Sequence, residues 1–186
     1  RSMACSISSG MTWLCTSIRG RDAVLTFLAG PDFLTAAAFF DLVSVAWLGQ
    51  FCQLLRCPLY AVLTYNGQEV WTPSSAHDAL FLDAFHQHQR SDKGFGVAAG
   101  PAATDALVDA LEKQGFLCEK GTSPWRLTLE DQALMQALAS GAADAVSETA
   151  QLTDAQLKEW KQTRKDATYC QIGHWDVFAL PKPERA

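Results

Sequence analysis

The sequence predicts an α/β fold, a mostly parallel sheet with helices on both faces, and three features support that class. Short apolar segments of strand length alternate with amphipathic segments of helix length along most of the chain. The segments 33–37 and 59–65 are apolar nearly throughout, as expected for strands that are covered on both faces. A long segment with partial alternation, 169–180, predicts a last strand that enters the sheet antiparallel.

The composition indicates a chain that can bury a sizeable core. Its 186 residues are 48% hydrophobic, and the formal net charge is -5. An acidic chain is not expected to bind bulk nucleic acid, because such binding needs a basic face. The one concentration of basic residues, 158–165, is interpreted as a solvated helix face.

The sequence also bears on membrane insertion and on the redox state of the cysteines. No apolar run reaches the roughly 18 residues of a membrane span, so no membrane partner is expected. The six cysteines form no CxxC pair and no zinc-ligand spacing. We therefore expect reduced thiols in a cytoplasmic protein, with a Cys118–Cys170 disulfide allowed only if their strands are neighbours.

The first thirty residues form a poorly defined N-terminal segment. Within it, 11–18 is a candidate short strand and 21–29 a candidate short helix. Gly30 and Pro31 end that helix, since neither residue continues a helical pattern.

Elements with a clear apolar pattern begin after this segment. A strand at 33–37 leads into a helix with an irregular start at 39–55. The second strand, 59–65, is followed by the turn signal Asn66-Gly67, and 68–71 resembles the return arm of a short hairpin.

The rest of the chain alternates in the same way. Gly115 is placed to end a helix in a left-handed conformation, and Thr153 or Asp154 to cap the start of another. The remaining predicted elements are helices at 76–89, 102–114, 129–149 and 153–165, a strand at 116–119 and an extended segment at 123–127.

Five segments in a fixed order carry a resemblance to a known family. They are DFLTAAAFFDLVSVAWL, PLYAVLTYNGQEVW, FHQHQRSDKGFG, ALEKQGFLCEKGTSPWRL and IGHWDVFALP. Together they resemble the C-terminal two-thirds of a class I S-adenosylmethionine-dependent methyltransferase, over roughly 32–181. The resemblance implies that 33–37 is the fourth strand of that fold, 59–65 the fifth, 116–119 the sixth and the last strand the antiparallel seventh.

One part of the family pattern is missing from the sequence. In the family the first strand ends in a Gly-rich loop that admits the cofactor, and an acidic residue after the second strand holds the ribose. No GxGxG occurs in this chain. We therefore expect an incomplete Rossmann-like methyltransferase sheet, in which residues 1–30 are poorly defined and 31–186 form the C-terminal portion of a truncated domain.

The resemblance implies a cofactor site where the first apolar strand ends. Packing explains the small residues of that segment equally well, and a helix-start acid explains the aspartate. The residues implied to border S-adenosylmethionine are Thr35, Ala36, Ala37, Ala38, Phe40 and Asp41.

The resemblance also places a substrate rim after the second strand. Gly94 and Gly96 predict a mobile loop that can cover a substrate, although a solvated helix end and connector is the alternative. A metal site from His86 and His88 is not expected, because positions i and i+2 diverge on a helix. The residues implied to contact substrate are Thr64, Tyr65, His86, Arg90, Lys93 and Phe95.

One His and one Asp share a face of the last predicted strand. They are His174 and Asp176, and the sequence shows no nucleophile arranged with them. Ser44, Ser91 and Ser123 all lack the strand-to-helix glycine context of a serine hydrolase.

Two functions follow from these observations. The first is methyl transfer to a small-molecule or protein substrate, carried out only if missing segments complete the cofactor site. The second is a non-enzymatic remnant or interaction module that pairs through an exposed edge of strand 33–37. Such an edge invites a partner, a second copy in a homo-oligomer, or residues 11–18 of the same chain.

Overall fold

A computed structural model describes residues 11–14, 32–92 and 94–183 of the chain. The six strands in this part are β1 (Met11–Leu14), β2 (Phe33–Ala37), β3 (Leu59–Thr72), β4 (Phe116–Thr122), β5 (Trp125–Thr128) and β6 (Tyr169–Pro181). Its five α-helices are α1 (Val45–Leu54), α2 (Asp78–Gln89), α3 (Ala103–Lys113), α4 (Gln132–Ser147) and α5 (Asp154–Lys165). Short 3-10 turns precede α1, α3 and α4.

The strands form one sheet in the order β1-β2-β3-β6-β4, and β5 also pairs with β6. The first three strands are parallel neighbours, and helix α1 connects β2 to β3. Strand β6 runs antiparallel to both β4 and β5. The predicted α/β class, an incomplete Rossmann-like sheet with an antiparallel C-terminal strand, is confirmed.

Strand β1 occupies the edge that the sequence left open. It pairs with β2 in parallel, with Met11 opposite Phe33 and Leu14 opposite Ala36. The sequence allowed this edge to pair with a partner, with a second copy or with residues 11–18. The structure contains the pairing with residues of the same chain. The predicted helix at 21–29, with the Gly30-Pro31 signal that ends it, lies outside the described residues.

The hairpin predicted after residue 65 is wrong. Strand β3 continues without reversal to Thr72, and Gly67 adopts a φ of +85° inside it. The physical reason is a long neighbour, since β6 spans thirteen residues beside β3. At the far end of β3, the amide of Thr168 donates to the carbonyl of Thr72 at 2.8 Å. A local turn preference is thus outweighed by continued strand pairing.

All five helices predicted beyond residue 31 are present, with slightly shorter bounds. Each loses its first residues to a cap or a 3-10 turn; for example, the hydroxyl of Ser44 accepts from the amide of Trp47 at 3.2 Å to begin α1. Thr153 caps α5, and Gly115 follows α3 with a φ of +83°, as predicted. The strand predicted at 116–119 extends to Thr122 because β6 pairs with it along its whole length.

By the density of their internal packing, the residues divide into two compact units, which are described separately. The first unit comprises 1–66, 92–123 and 174–186. Alternate residues of β2, β3, β4 and β6 point toward α1 and α3 and form its core. In that core Trp47 stacks on Phe51 with ring centroids 5.4 Å apart. The side chains involved include Leu34, Ala36, Leu59, Ala61, Leu107, Leu111, Phe116, Val177 and Ala179.

The second unit comprises 67–91 and 124–173 and contains α2, α4, α5 and β5. Its centre is Trp160, which stacks on Phe81 with ring centroids 3.6 Å apart. The guanidinium of Arg164 lies 4.6 Å from the Trp160 ring centroid, and the side chain is 2% exposed. Asp78 accepts from the Trp160 indole at 2.9 Å and also from Arg164, so the buried cation is paired.

Four cysteines lie in the described part of the chain, and all four are free thiols. The strands of Cys118 and Cys170 are neighbours, but their register separates the two thiols. Cys118 lies opposite Ala179, whereas Cys170 lies opposite Leu127. The disulfide that the sequence allowed is therefore absent from the described residues.

Candidate functional site

The candidate site lies in the first unit, at the carboxyl end of β2, where Val62 and Leu63 of the parallel strand β3 lie beside it. Open α/β sheets bind ligands at this edge. Ala37 is half-buried and Ala38 is exposed, so no large side chain covers the end of β2. The amide of Ala38 donates to the carbonyl of Val62 at 3.0 Å, which fixes the end of β2 against β3.

Two residues other than glycine adopt left-handed backbone conformations at this edge. Ala38 has a φ of +48°, and Leu63, which follows Val62 directly, has a φ of +56°. Such conformations cost about 1–2 kcal/mol each and cluster at functional sites. Because the amide of Ala38 bonds to the carbonyl of Val62, Ala38 and Leu63 lie side by side, one just after the end of β2 and the other within β3.

A carboxylate from the last strand supports the strained backbone of Leu63. One oxygen of Asp176 accepts from the Leu63 amide at 2.9 Å and from the Ser123 hydroxyl at 2.6 Å. Its other oxygen accepts a longer contact from the Tyr60 hydroxyl at 3.4 Å. The half-buried Asp176 thus ties β3, β6 and the end of β4 together at one point.

This cluster is not a hydrolytic triad, although it contains Ser, His and Asp. The hydroxyl of Ser123 donates directly to Asp176, whereas a triad serine bonds to the imidazole. His174 contributes its backbone carbonyl to the Ser123 amide at 3.1 Å.

Buried polar side chains lie in the segments that follow β2 and within β3. Asp41 is 7% exposed in the 3-10 turn before α1, and Thr64 is fully buried. Tyr65 is also buried, and its ring centroid lies 6.4 Å from that of His174 in an edge-on arrangement. Buried polar groups carry a desolvation cost, so their presence here distinguishes this end of the sheet from the apolar core.

The remaining residues implied to border a cofactor lie in the protein interior. Thr35 and Ala36 are buried within β2. Phe40 is in the hydrophobic core, with its ring edge-on to Phe51 at 5.2 Å and to Phe39 at 5.5 Å. Asp41 is buried as well, so Ala37 and Ala38 are the members of that set best placed for a ligand.

The residues implied to contact substrate are divided between the two units. Thr64, Tyr65 and Phe95 belong to the first unit, and His86 and Arg90 belong to the second. Lys93 lies outside the described residues.

Phe95 is a core residue. Its ring meets Phe39 at 5.8 Å and Trp47 at 5.6 Å, both edge-on, and its side chain is 8% exposed. The carbonyl of Phe95 accepts from the Ser44 amide at 3.3 Å, and the Ala99 amide donates to Val43 at 2.7 Å. The loop that carries Phe95 is thus attached to the start of α1.

The aspartate of this loop organises its glycines. Asp92 accepts from the amides of Gly94 at 2.7 Å and Gly96 at 2.9 Å. A Cβ on Gly96 would lie 3.1 Å from the Ser44 hydroxyl, so this glycine permits close packing. These glycines allow a tight turn, and the mobility predicted for the loop stays a prediction.

In the second unit, His86 lies near the end of α2 and is half-buried. Burial lowers the pKa of His86 below its ordinary value of 6.5, and the nearby charge of Arg90 lowers it further. Asp83 and a backbone hydrogen bond at Gly67 act in the opposite direction. His86 is therefore held in its neutral form at neutral pH.

Sequence reasoning did not single out Leu63 or the bond between Ser123 and Asp176. The partners are separated by 113 residues for Leu63 and Asp176 and by 53 for Ser123 and Asp176. The sequence feature that could have indicated Asp176 is the His-x-Asp spacing of β6, which places both side chains on one face of a strand.

Two further observations concern the described residues. None of the described helices is long and apolar enough to cross a membrane. Among the same residues, no three Asp, Glu, His or Cys side chains are grouped so that they could hold a metal ion.

Comparisons with known proteins give matches of structure alone. No protein-family model matches the chain, and no curated protein matches its sequence. The solved structures similar to it are S-adenosylmethionine-dependent methyltransferases of the class I fold, the family that the sequence resembles.

Three of these structures show the extent of the match. A cyclopropane-fatty-acyl-phospholipid synthase-like protein from Lactobacillus casei is 12% identical, with a TM-score of 0.45 over 87% of this chain and 61% of that one. A protein from Bacillus halodurans described as a methyltransferase is 10% identical, with a TM-score of 0.41 over 83% and 66%. Phosphoethanolamine N-methyltransferase 2 from Haemonchus contortus is 11% identical, with a TM-score of 0.33 over 84% and 34%.

The chain therefore spans between 34% and 66% of the length of these three proteins. All three TM-scores are below 0.5, and a likeness at this level carries no argument about activity. The site described above has to be judged on its own geometry.

Proposed function

We propose that this chain provides one wall of an S-adenosylmethionine site and belongs to a methyltransferase that needs further segments to be complete. The observation that carries the proposal is the edge formed by Ala38 and Leu63. There the carboxyl end of β2 carries small side chains, and both Ala38 and its neighbour Leu63 in the adjacent parallel strand β3 have strained backbone conformations.

The residues at this edge fit part of such a site. Ala37 and Ala38 leave the strand end open, so an adenosyl group can approach the backbone closely. Asp41 offers a carboxylate in the turn that follows. When bound, S-adenosylmethionine supplies a methyl group on a positively charged sulfur, and the described residues contribute position rather than acid–base chemistry.

The proposal gives a location for the substrate but not its chemical identity. Thr64 and Tyr65 lie in β3 just beyond the strained Leu63, so we place the substrate rim there. The burial of both side chains favours a role in shaping the rim over direct contact with a large substrate. A small molecule and a protein side chain both remain candidates.

The missing Gly-rich loop is the reason for proposing completion by other segments. The loop normally provides the main contacts to the cofactor in this family, and the sequence contains no GxGxG. Methyl transfer by the chain in isolation is therefore not expected. Binding of the cofactor with modest affinity is the activity that can be tested directly.

Calorimetric titration of the chain with S-adenosylmethionine tests the proposal. Micromolar to sub-millimolar binding is expected, and Ala37→Leu should weaken it at least tenfold by filling the open strand end. Val45→Leu is the matched control, because it enlarges an exposed apolar residue of α1 and should leave binding unchanged. No heat of binding at millimolar ligand, with the chain folded by circular dichroism, would overturn the proposal.

The non-enzymatic alternative has its own check. Strand β1 pairs with the edge of β2, so an interaction through the sheet edge has to use another strand or displace β1. Pairing with a partner or a second copy remains a prediction. Sedimentation velocity over a hundredfold concentration range would show a dimer if that surface associates, and a monomer throughout would count against it.

A further inference from the structure

We propose that the second unit contains a binding site for a phosphate group, in a cavity between α4 and α5. The cavity has a volume of about 180 Å³ and is lined by residues of the second unit, whereas the strand-end site belongs to the first. Its lining is three cations with small and polar neighbours: Lys161, Arg164, Lys165, Gln136, Ala139 and Ser140.

The charges that line this cavity come from one turn of α5. Arg164 and Lys165 come three and four residues after Lys161, so both lie on the same side of the helix as Lys161. The sequence alone favours a solvated basic face at these positions. The structure differs, because Arg164 is buried and Lys161 is half-buried against α4, so the charges line a concave surface.

Hydrogen-bond donors around the cavity are unused within the described part of the chain. The Nε of Arg164 is buried and has no hydrogen-bond partner there. Its terminal nitrogens bond to Asp78 and to the carbonyl of Pro73, so the guanidinium is held in place while Nε makes no hydrogen bond. A buried donor without an acceptor is destabilising, and an oxyanion that reached Nε would remove that cost.

The other donors have spare capacity too. The side chains of Lys165, Ser140 and Gln136 make no hydrogen bond to another described residue. Lys161 contacts Asp144 at 3.5 Å, a long and exposed ion pair that leaves most of its hydrogen-bonding capacity free. Lysine, arginine, hydroxyl and amide groups converging on a small space form the donor set that binds phosphate oxygens.

The size of the cavity selects the class of ligand. At about 180 Å³ it is smaller than the roughly 300 Å³ at which pockets accept drug-sized molecules, so it admits one small group. A second cavity of about 330 Å³ shares Lys161 and Lys165 and is also lined by Lys158, Leu157, Gln162 and the carboxylate residue Asp154. A phosphomonoester fits this pair, with its phosphate in the smaller cavity and its organic part over Leu157.

Titration calorimetry of the full chain with inorganic phosphate and with phenyl phosphate tests this assignment. Both probes should bind, and phenyl phosphate should bind more tightly because its ring can use the second cavity. Lys165→Gln should weaken both at least tenfold, since one charge-assisted hydrogen bond contributes about 1.5–3 kcal/mol. Asp144→Asn should strengthen both, because it removes a nearby negative charge and releases Lys161.

The matched control is Lys120→Gln, which removes the same charge from the first unit, where Lys120 pairs with Asp105. That variant should bind both probes as the parent chain does. Equal weakening in Lys120→Gln and Lys165→Gln would mean general charge attraction and would overturn the site. Binding of neither probe at 10 mM by the folded parent would overturn it as well. Leu157→Ala separates the sources of phosphate: loss of the preference for phenyl phosphate supports a phosphomonoester, and an unchanged preference leaves inorganic phosphate.

Discussion

The carboxylate of Asp176 accepts a hydrogen bond from the backbone amide of Leu63 at 2.9 Å, although the two residues are 113 positions apart in the chain. Leu63 has a left-handed backbone conformation, and its amide would otherwise lack an acceptor where β3 passes the end of β2. The last strand therefore stabilises a strained position at the edge that we propose for cofactor binding. The contribution of Asp176 to the free energy of unfolding can be measured.

Replacing Asp176 with alanine should lower the free energy of unfolding by about 2 kcal/mol, because the amide of Leu63 and the hydroxyl of Ser123 both lose an acceptor. Urea unfolding followed by circular dichroism measures the change. Asp105→Ala is the control, since its exposed pair with Lys120 should be worth less than about 1 kcal/mol. Similar losses in the two variants would contradict a special role for Asp176.

The strained alanine at the end of β2 predicts an unusual glycine substitution. Ala38 is exposed with a φ of +48°, so Ala38→Gly relieves strain without removing a buried side chain and should raise the free energy of unfolding by up to about 1 kcal/mol. Ala37→Gly, one residue earlier in extended backbone, should lower it by about 0.5–1 kcal/mol. The same urea titrations compare both variants with the parent, and a fall in stability for Ala38→Gly would show that its conformation is not strained.

The fold was predictable where local pattern and tertiary structure agree. The apolar run at β2, the caps at Thr153 and Gly115 and the helical spacing of α3 each specify their element from neighbouring residues alone. The parallel class follows from the alternation of these elements along the chain. This part of the architecture needed no information about contacts distant in sequence.

The prediction failed where a distant partner decides the structure. The Asn66-Gly67 signal is a real turn preference, yet β6 extends β3 straight through it. Phe95 lies among polar residues in the sequence, but its ring completes an aromatic cluster with Phe39 and Trp47. Neither outcome can be derived from the residues on either side.

The candidate site was predictable only in outline. The strand end at Ala37 and Ala38 follows from the apolar run that precedes it, whereas the strain at Leu63 depends on Asp176 from another part of the chain. The cavity beside Arg164 also depends on a residue from a distant part of the chain. Asp78, the carboxylate that holds Arg164, is 86 residues away from it in the sequence.

Buried thiols provide a third prediction. Burial raises the pKa values of Cys52 and Cys170 to about 12, so at pH 8 roughly one thiol in ten thousand is ionised. Iodoacetamide should modify these two cysteines at least a hundredfold more slowly in the folded chain than in 8 M urea. Mass spectrometry of the labelled peptides gives the rates, with the half-buried Cys118 as the internal comparison. Labelling of Cys52 in the folded chain as fast as Cys118 would contradict the assigned burial.

The lowered pKa of His86 gives the direction of a pH effect on stability. Burial, followed by the charge of Arg90, keeps its folded-state pKa below 6.5, so the unfolded chain binds the proton more readily. The neutral form therefore stabilises the fold above pH 6.5, and that contribution is lost as the pH falls through 6.5 toward the folded-state pKa. Urea unfolding at pH 7.5 and at pH 5.5 should show a smaller acid-induced loss for His86→Gln than for the parent. Arg90→Gln should also reduce the loss, because it removes the repulsive charge, and identical losses in all three chains would exclude His86 as the group responsible.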